Sequence, residues 1–339
     1  MRVLATAPGK LVITGEYAVL EGAPALVLAI DRRARATLED SDGSDYEITA
    51  PGLGIDAAHG RLDADGRIAW PALDAAAGAS LRLVGAILET LGAEDRPPPF
   101  RASLDTRAFR ADGDGRRKLG LGSSAALTVA LASAIRALGR RGAPSLATLL
   151  AAHRRSQDGR GSGLDVAASL SGGLLRYRLH DGQPRIAPAT WPQGLVWCCV
   201  WSGRPASTSF FLQQLAAWRA QAPKRHATAM RELGDCATAA AGAASATALL
   251  EAVAAYALAL ERLAAASGLD IFCPEHRALA ALAARLGVVY KTCGAGGGDV
   301  GIALATDAAR LQAFRQAASA AGFAVLELHP AAAASVQMH

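Results

Sequence analysis

Three glycine-rich stretches of the chain each stand beside a lysine, and all three point to the handling of an anion. In "KLGLGSSAAL", Lys118 precedes Gly120 and Gly122, which can take positive φ and carry no Cβ, and then Ser123 and Ser124. The apolar run "ALTVALASAIRAL" that follows predicts a helix, and the two serines can cap it. A helix start with bare amides is an anion seat, with the positive end of the helix dipole beneath it. An ordinary glycine turn with a serine cap accounts for the same residues equally well. The other two stretches are "APGK", with Lys10, and "KTCGAGGG", with Lys291. Only four of the 35 basic residues are lysine, the fourth being Lys224. Lysine persists where a compact ammonium on a flexible stem is needed and a planar guanidinium does not fit. Three such placements together favour phosphate chemistry over surface solvation.

Further loops add candidates. In "KTCGAGGGDVG", five glycines (Gly294, Gly296, Gly297, Gly298 and Gly301) exceed the needs of a hairpin turn, which predicts close approach of a ligand. "GRGSGLDVAASLSGG" presents Asp165 at a helix start, where a plain N-cap competes with a catalytic or metal-orienting role. "WSGRPASTSFF" offers Ser207, Thr208 and Ser209 at another helix start. Neither a GxxxxGK[ST] signature nor the protein-kinase motif set is present.

These loops need elements to hold them. Periodicity predicts strands at "LVITGEYAVL", "ALVLAI", "ARATLE", "DYEITA" and "FRASLDTRAF". Helices are predicted over 79–91, 124–138 and 145–156, and a short helix at "GLDVAASLSGG" runs into the strand "LLRYRL". The Pro-rich stretch 181–194 is the expected boundary between domains spanning 1–185 and 186–339. Beyond it come a strand "LVWCCVW", helices from 207 to about 287, strands "GVVYKT" and "GIALAT", a helix over 307–322 and a strand "FAVLEL". That order, βαββαβ with extra helices in the first crossover, is the signature of a ferredoxin-like domain.

Composition narrows the partners. With 51% apolar and 19% charged residues over 339 positions, the chain is globular and long enough for two domains. The net charge of +5 comes from scattered arginines, in groups such as "DGRRK" that mix with acids, and aromatics are 5%. Neither a stacking platform nor a DNA-reading motif is present, so no nucleic acid is expected and small anionic ligands are. The uncharged stretch 237–250 is too short to span a membrane, and "MRVLATAPGK" has too short an apolar run for a signal peptide. Five cysteines without CxxC spacing argue against zinc or a disulfide framework and for a reducing, cytoplasmic setting.

"APGKLVITGEYAVLEGAPAL", "GLGSSAALTVAL" and "KTCGAGGGDVGIAL" resemble, in order, the three motifs of the GHMP kinases, and the match spans nearly the whole chain. The resemblance implies an α+β GHMP kinase fold, with an N-terminal domain like domain 2 of ribosomal protein S5 and a ferredoxin-like C-terminal domain. It implies ATP over Gly120, Leu121, Gly122, Ser123, Ser124 and Ala125, with Mg²⁺ near Ser123 or Ser124. In finer detail the chain is similar to the phosphomevalonate kinase branch: Tyr17 where mevalonate kinases usually show histidine, Val166 where they favour asparagine, and Asp299 where they tend to glycine. One departure is "AAHRRSQDGRGSG", which lacks the Mg²⁺-binding glutamate that mevalonate kinases place upstream of the aspartate loop. His153, Arg154 and Arg155 there suit an extra substrate phosphate or, equally, a solvated helix face.

The implied reaction is ATP-dependent phosphorylation of 5-phosphomevalonate to 5-diphosphomevalonate, by a monomer or homodimer acting on a small phosphorylated substrate. Lys10 would stabilise charge between ATP and acceptor, and Asp165 would orient Lys10 and the acceptor and, for an alcohol acceptor, also remove its proton as general base. Lys118, Ser207, Thr208 and Lys291 are candidates for the substrate's anionic groups. Ser162, Gly294, Ala295 and Gly296 join the candidate substrate-binding set. Glu16 and Tyr17 are expected near the acceptor, against the alternative of pairing within the first hairpin. Mevalonate kinase, another small-molecule GHMP kinase and a ligand sensor without turnover remain competing readings.

Overall fold

In the computed structural model the first strand, β1 (Arg2–Thr14), alternates buried and less buried residues up to Ala7 and then runs buried on both faces except at Lys10. It pairs antiparallel with the 16-residue β2 (Ala25–Asp40), with a register shift between Pro8 and Gly9. The shift falls where proline removes a ladder donor. A Cβ on Gly9 would stand 2.6 Å from Leu121 O, so this glycine lets the loop ahead of the main helix lie directly on β1. There Lys10 N donates to Leu121 O at 2.9 Å.

The structure describes all residues except 64, 66, 72, 74, 96–97, 112–116, 158 and 160, and describes only the backbone of 75–77 and 92–95. Part of the basic group "DGRRK" therefore lies outside the described residues. The elements after β2 are β3 (Tyr46–Ala50), β4 (Ile55–Leu62), β5 (Ile68–Ala69), α1 (Ala75–Ser80), α2 (Arg82–Asp95) and β6 (Phe100–Asp105). Then come α3 (Ser123–Leu138), α4 (Leu146–Ser156), α5 (Leu164–Ser171), β7 (Leu174–His180) and β8 (Gln183–Ala189). The remainder is β9 (Val196–Trp201), α6 (Thr208–Gln221), α7 (Pro223–Gly242), α8 (Ala246–Ser267), α9 (Pro274–Arg285), β10 (Val289–Thr292), β11 (Val300–Ala305), α10 (Ala308–Ala320), β12 (Ala324–Leu326) and β13 (Ser335–Met338).

Two sheets result. The larger runs β13-β1-β2-β6-β3-β4-β5, with β7 pairing β2 further along its length and β8 pairing β7. Helix α3 lies against β1 and β2, and from Ala125 to Ile135 every residue is buried. A helix apolar all round belongs inside a core. The smaller sheet, antiparallel throughout, has the ferredoxin-like order β10-β11-β9-β12. One of its faces, with Cys198, Val200 and Ala303, packs on Leu279 of α9 and on Leu311 and Phe314 of α10. Its other face, with Cys199, Ile302 and Leu304, joins the main core. The fold is α+β.

Several elements differ from the sequence reading. The expected strand at "LVITGEYAVL" stops at Thr14, because Gly15 (φ 105°) and Tyr17 (φ 62°) turn the chain into a short 3₁₀ helix, Ala18–Glu21. The Pro-rich stretch taken as a boundary contains β8: Asp181 and Gly182 both have positive φ, the requirement of a type I′ turn, and close a hairpin with β7. Pro184 and Pro188 are tolerated because β8 pairs only with β7. Neither serine caps α3; the N-cap is Gly122, in the left-handed region. No helix among the described residues is long and apolar enough to cross a membrane.

Candidate active site

A cavity of about 290 Å³ opens where the loop ahead of α3, the start of α5 and the loop between β10 and β11 converge. Lys10 reaches it from β1. Its stem crosses Gly122, where a Cβ would come within 2.9 Å of Lys10 Cγ, and its Nζ donates to Gly120 O at 3.2 Å. The ammonium also lies 3.9 Å from the position of a Cβ on Gly294. Lys10 is thus strung between two of the glycine-rich loops. Gly120, Leu121, Gly122, Ser123, Ser124 and Ala125 all line the cavity, and Lys118 stands at the same wall.

Asp165 also lines the cavity. It is not the N-cap of α5, a position held by Gly163. Its Oδ1 accepts from Val166 N at 2.9 Å, and the carboxylate is held at the helix start. Gly163 has φ 83°, and a Cβ there would strike Leu150 at 2.1 Å, so the turn that presents Asp165 requires glycine. Ser162 lines the cavity while its carbonyl accepts from Tyr177 Oη at 2.5 Å. Burial pushes the Tyr177 hydroxyl up to about 12, so it stays a donor at neutral pH.

The basic run on α4 divides. His153 is buried, faces the cavity and accepts at Nε2 from Gln157 Nε2 at 3.2 Å. Arg154 faces the cavity and reaches Ser162 O at 3.4 Å. Arg155 turns away to Glu89 at 2.6 Å.

Glu16 and Tyr17 also reach the cavity, but not by pairing within a hairpin. Tyr17 has φ 62° and ψ −57°, and Ala18 N donates to Glu16 O across it at 2.6 Å, which makes it the centre of a γ-turn of the strained kind. Tyr17 Oη donates to Ala295 O, and burial raises its hydroxyl far above the ordinary value. Glu16 Oε1 accepts from Lys291 Nζ and from Gly294 N.

Thr208, Gly294 and Ala295 line the cavity, whereas Ser207, Lys291 and Gly296 do not. Ser207 is the N-cap of α6 and accepts from Phe210 N at 3.3 Å. Lys291 has no solvent exposure and is committed to Glu16. Most glycines of "KTCGAGGGDVG" serve the protein's own packing: an added Cβ would stand 2.5 Å from Ile271 O at Gly296, 2.2 Å from Phe211 at Gly297, 2.6 Å from Arg204 O at Gly298 and 2.1 Å from Tyr290 Oη at Gly301. Ligand approach as their common cause is corrected accordingly; of the five, only Gly294 faces the cavity.

Residues 82–173 match the GHMP kinases N terminal domain. Over 369 aligned residues the chain is 34% identical to the phosphomevalonate kinase of Streptomyces sp. (strain CL190), covering 96% of both proteins. The chain belongs to the GHMP kinases. This GHMP kinase is also 36% identical, over 55% of its length, to the mevalonate kinase of Methanothermobacter thermautotrophicus, of which it covers 52%. Its fold is shared with Streptococcus pneumoniae phosphomevalonate kinase in complex with phosphomevalonate and AMPPNP: TM-score 0.76, 22% identity, 97% of this chain and 99% of that one.

One residue of this GHMP kinase's cavity, Asp299, stands outside the site residues that the sequence suggests. Asp299 lines the cavity in a left-handed conformation, φ 57°. Its Oδ1 accepts from Ala206 N at 3.0 Å. Burial raises its carboxyl above the ordinary range, while the Ala206 bond, Lys10 and Lys118 draw it back down. The available signal was an aspartate closing a run of three glycines, where the chain needs positive φ and a fourth glycine would be relaxed.

Proposed function

We propose that this enzyme transfers the γ-phosphoryl group of ATP to 5-phosphomevalonate, giving 5-diphosphomevalonate. The observation that carries the reading is one cavity lined by more than one cation: Lys10, bound to the phosphate-type loop at Gly120, and, besides it, Lys118 and Arg154. Phosphoryl transfer to either kind of acceptor needs the first; an acceptor that brings a phosphate of its own uses a further cation such as Lys118. The nearly full-length kinship with a phosphomevalonate kinase supports the same acceptor.

The chemistry then rests mainly on positioning and charge. ATP lies with its phosphates at the start of α3, where residues 122–125 present backbone amides and the positive end of a buried helix. Lys10 stabilises the charge that develops between donor and acceptor. A phosphate monoester has a second pKa of about 6, so the attacking oxygen is already ionised at neutral pH and needs no base. Asp165 on this reading orients Lys10 and the acceptor. His153, Arg154, Ser162 and Thr208 hold the acceptor's remaining polar groups. On this reading the larger sheet with α3 and α5 forms the nucleotide-binding part and the smaller sheet with α6 completes the acceptor side; the expected boundary at 185 falls inside β8 and is corrected by its pairing with β7.

Among the described residues there is no group of three or more His, Cys, Asp or Glu that could hold a metal ion. Mg²⁺ keeps several waters and is bound through nucleotide phosphates and few protein oxygens, and the hydroxyl-bearing Ser123 and Ser124 line the cavity at the start of α3. Ser123 or Ser124 would hold it, and the ion would neutralise charge on the phosphates. We assign the enzyme to the cytoplasm, as a monomer or homodimer.

An acceptor panel with ATP tests the reading: turnover of phosphomevalonate well above that of mevalonate is expected, and Lys118→Ala should raise the acceptor KM more than the ATP KM. Preference for mevalonate, or ATP consumption indifferent to acceptor, would overturn it.

A further inference from the structure

Asp299 occupies a position whose backbone favours glycine, and it is tied down on every side. Its amide donates to Arg204 O at 2.6 Å, its carbonyl accepts from Ser202 N at 2.9 Å, and its Oδ1 takes Ala206 N. The three bonds hold the 202–206 loop that leads into α6 and so to Thr208 in the cavity wall. A Cβ built on Gly120 would meet Asp299 Oδ2 at 2.4 Å and Cγ at 2.2 Å, so the carboxylate packs against the glycine whose carbonyl binds Lys10. The absence of a side chain at Gly120 is what admits it. Lys10 and Lys118 line the same cavity, and each draws the carboxyl's pKa down from the height that burial gives it.

A carboxylate in a cavity suited to two polyanions is costly for binding, since it repels both. Its presence at a strained backbone position calls for a compensating role. We propose that Asp299 is a positioning residue of the transfer site: its negative charge, packed against Gly120, restrains the Lys10 ammonium that Gly120 O binds, while its Oδ1 fixes the loop bearing Thr208. Without that charge Lys10 is free to close on the phosphates, which tightens the ground state and misplaces the cation for transfer. The inference rests on the cavity geometry for Lys10 and on the phosphorylated-acceptor reading for the second ligand.

Asp299→Asn separates the two roles, because asparagine tolerates the left-handed conformation and retains an acceptor for Ala206 N while losing the charge. Calorimetric binding of ATP and of phosphomevalonate is measured beside kcat. The expected result is affinity for both ligands raised by roughly 3- to 10-fold, with kcat reduced by about 10-fold or more and an unchanged melting temperature. A purely structural role predicts weaker binding with lower stability, and that outcome, or unchanged affinity with unchanged kcat, overturns the proposal. Should the asparagine variant not fold, Asp299→Gly relieves the backbone, removes the charge and reads the same two affinities. A wild-type enzyme that binds ATP but not phosphomevalonate overturns the acceptor reading, and the ATP measurement still decides the role of Asp299 toward Lys10.

Discussion

Lys291 and Glu16, 275 positions apart, form an ion pair sealed from solvent on both sides. It joins the turn after β1 to strand β10 of the smaller sheet, and Gly294 N adds a bond to the same Glu16 oxygen. A buried pair of this kind adds little net stability, but breaking it strands a charge. Lys291→Met should cost about 3–5 kcal/mol of unfolding free energy. The double variant Lys291→Met/Glu16→Gln should recover most of that loss. Denaturant titrations of the two singles and the double would measure the coupling; simple additivity would show that the two residues do not act as a unit.

Gly122 is constrained twice, by a left-handed φ of 84° and by the stem of Lys10 only 2.9 Å from the position of a Cβ. Gly122→Val therefore should displace Lys10 as well as obstruct the phosphates. ATP affinity measured by calorimetry is expected to fall by at least ~10-fold, with a loss of order 1–2 kcal/mol in stability from the backbone. Full ATP affinity in the folded variant would remove the phosphate seat from residues 120–125.

Lys10→Met and Asp165→Asn distinguish the acceptors. Loss of the Lys10 ammonium should lower kcat by about 10²-fold or more for either acceptor. Asp165→Asn should cost a hydroxyl acceptor such as mevalonate about 10²- to 10⁴-fold, the scale of lost general-base catalysis. For phosphomevalonate the loss should be smaller. A pH–rate profile with phosphomevalonate that loses its acid limb in Asp165→Asn would show the aspartate acting as a base after all.

His276 gives the fold a pH dependence of known sign. It is fully buried, donates from Nε2 to Gly298 O at 2.8 Å and accepts at Nδ1 from Tyr290 Oη at 2.7 Å. Burial lowers its pKa below the ordinary value. The unfolded chain then binds more protons between the depressed value and about 6.5, so stability rises with pH across that window. The contribution is complete above about pH 6.5 and is lost as pH falls toward the depressed folded pKa. His226 is shifted in the same direction and adds to the slope. Melting temperatures from pH 7.5 to 5 should decline, and His276→Gln should flatten the decline.

Much of the site was legible because it depends on local chemistry. Glycines beside lysines and an aspartate at a helix start single out candidates by local pattern alone, and Lys10, residues 120–125 and Asp165 do line one cavity. What was not legible depends on partners far away in the chain. Nothing near Lys291 says that Glu16 will bury with it, and the glycines at 296–298 look like ligand contacts until Ile271, Phe211 and Arg204 are seen against them. The β7–β8 hairpin is a different case. Its Asp181-Gly182 turn is a strong local signal, outweighed in reading by three nearby prolines that an outer strand accommodates.

The pairing of β13 with β1 sets Val3 opposite Met338 and Thr6 opposite Ser335, and Pro330 and Ala332 bridge to Ile30 and Gly172 on the way. The contact order of the larger sheet is therefore high, and its assembly has to wait on loop closures that span almost the entire polypeptide. A fragment covering 1–185 would carry Lys10, the glycine loop and Asp165, yet leave the outer hydrogen-bonding groups of β1 bare. Such an edge is a template for association with other chains. Severing the two halves would thus yield sticky, self-associating material in place of a free-standing nucleotide-binding module.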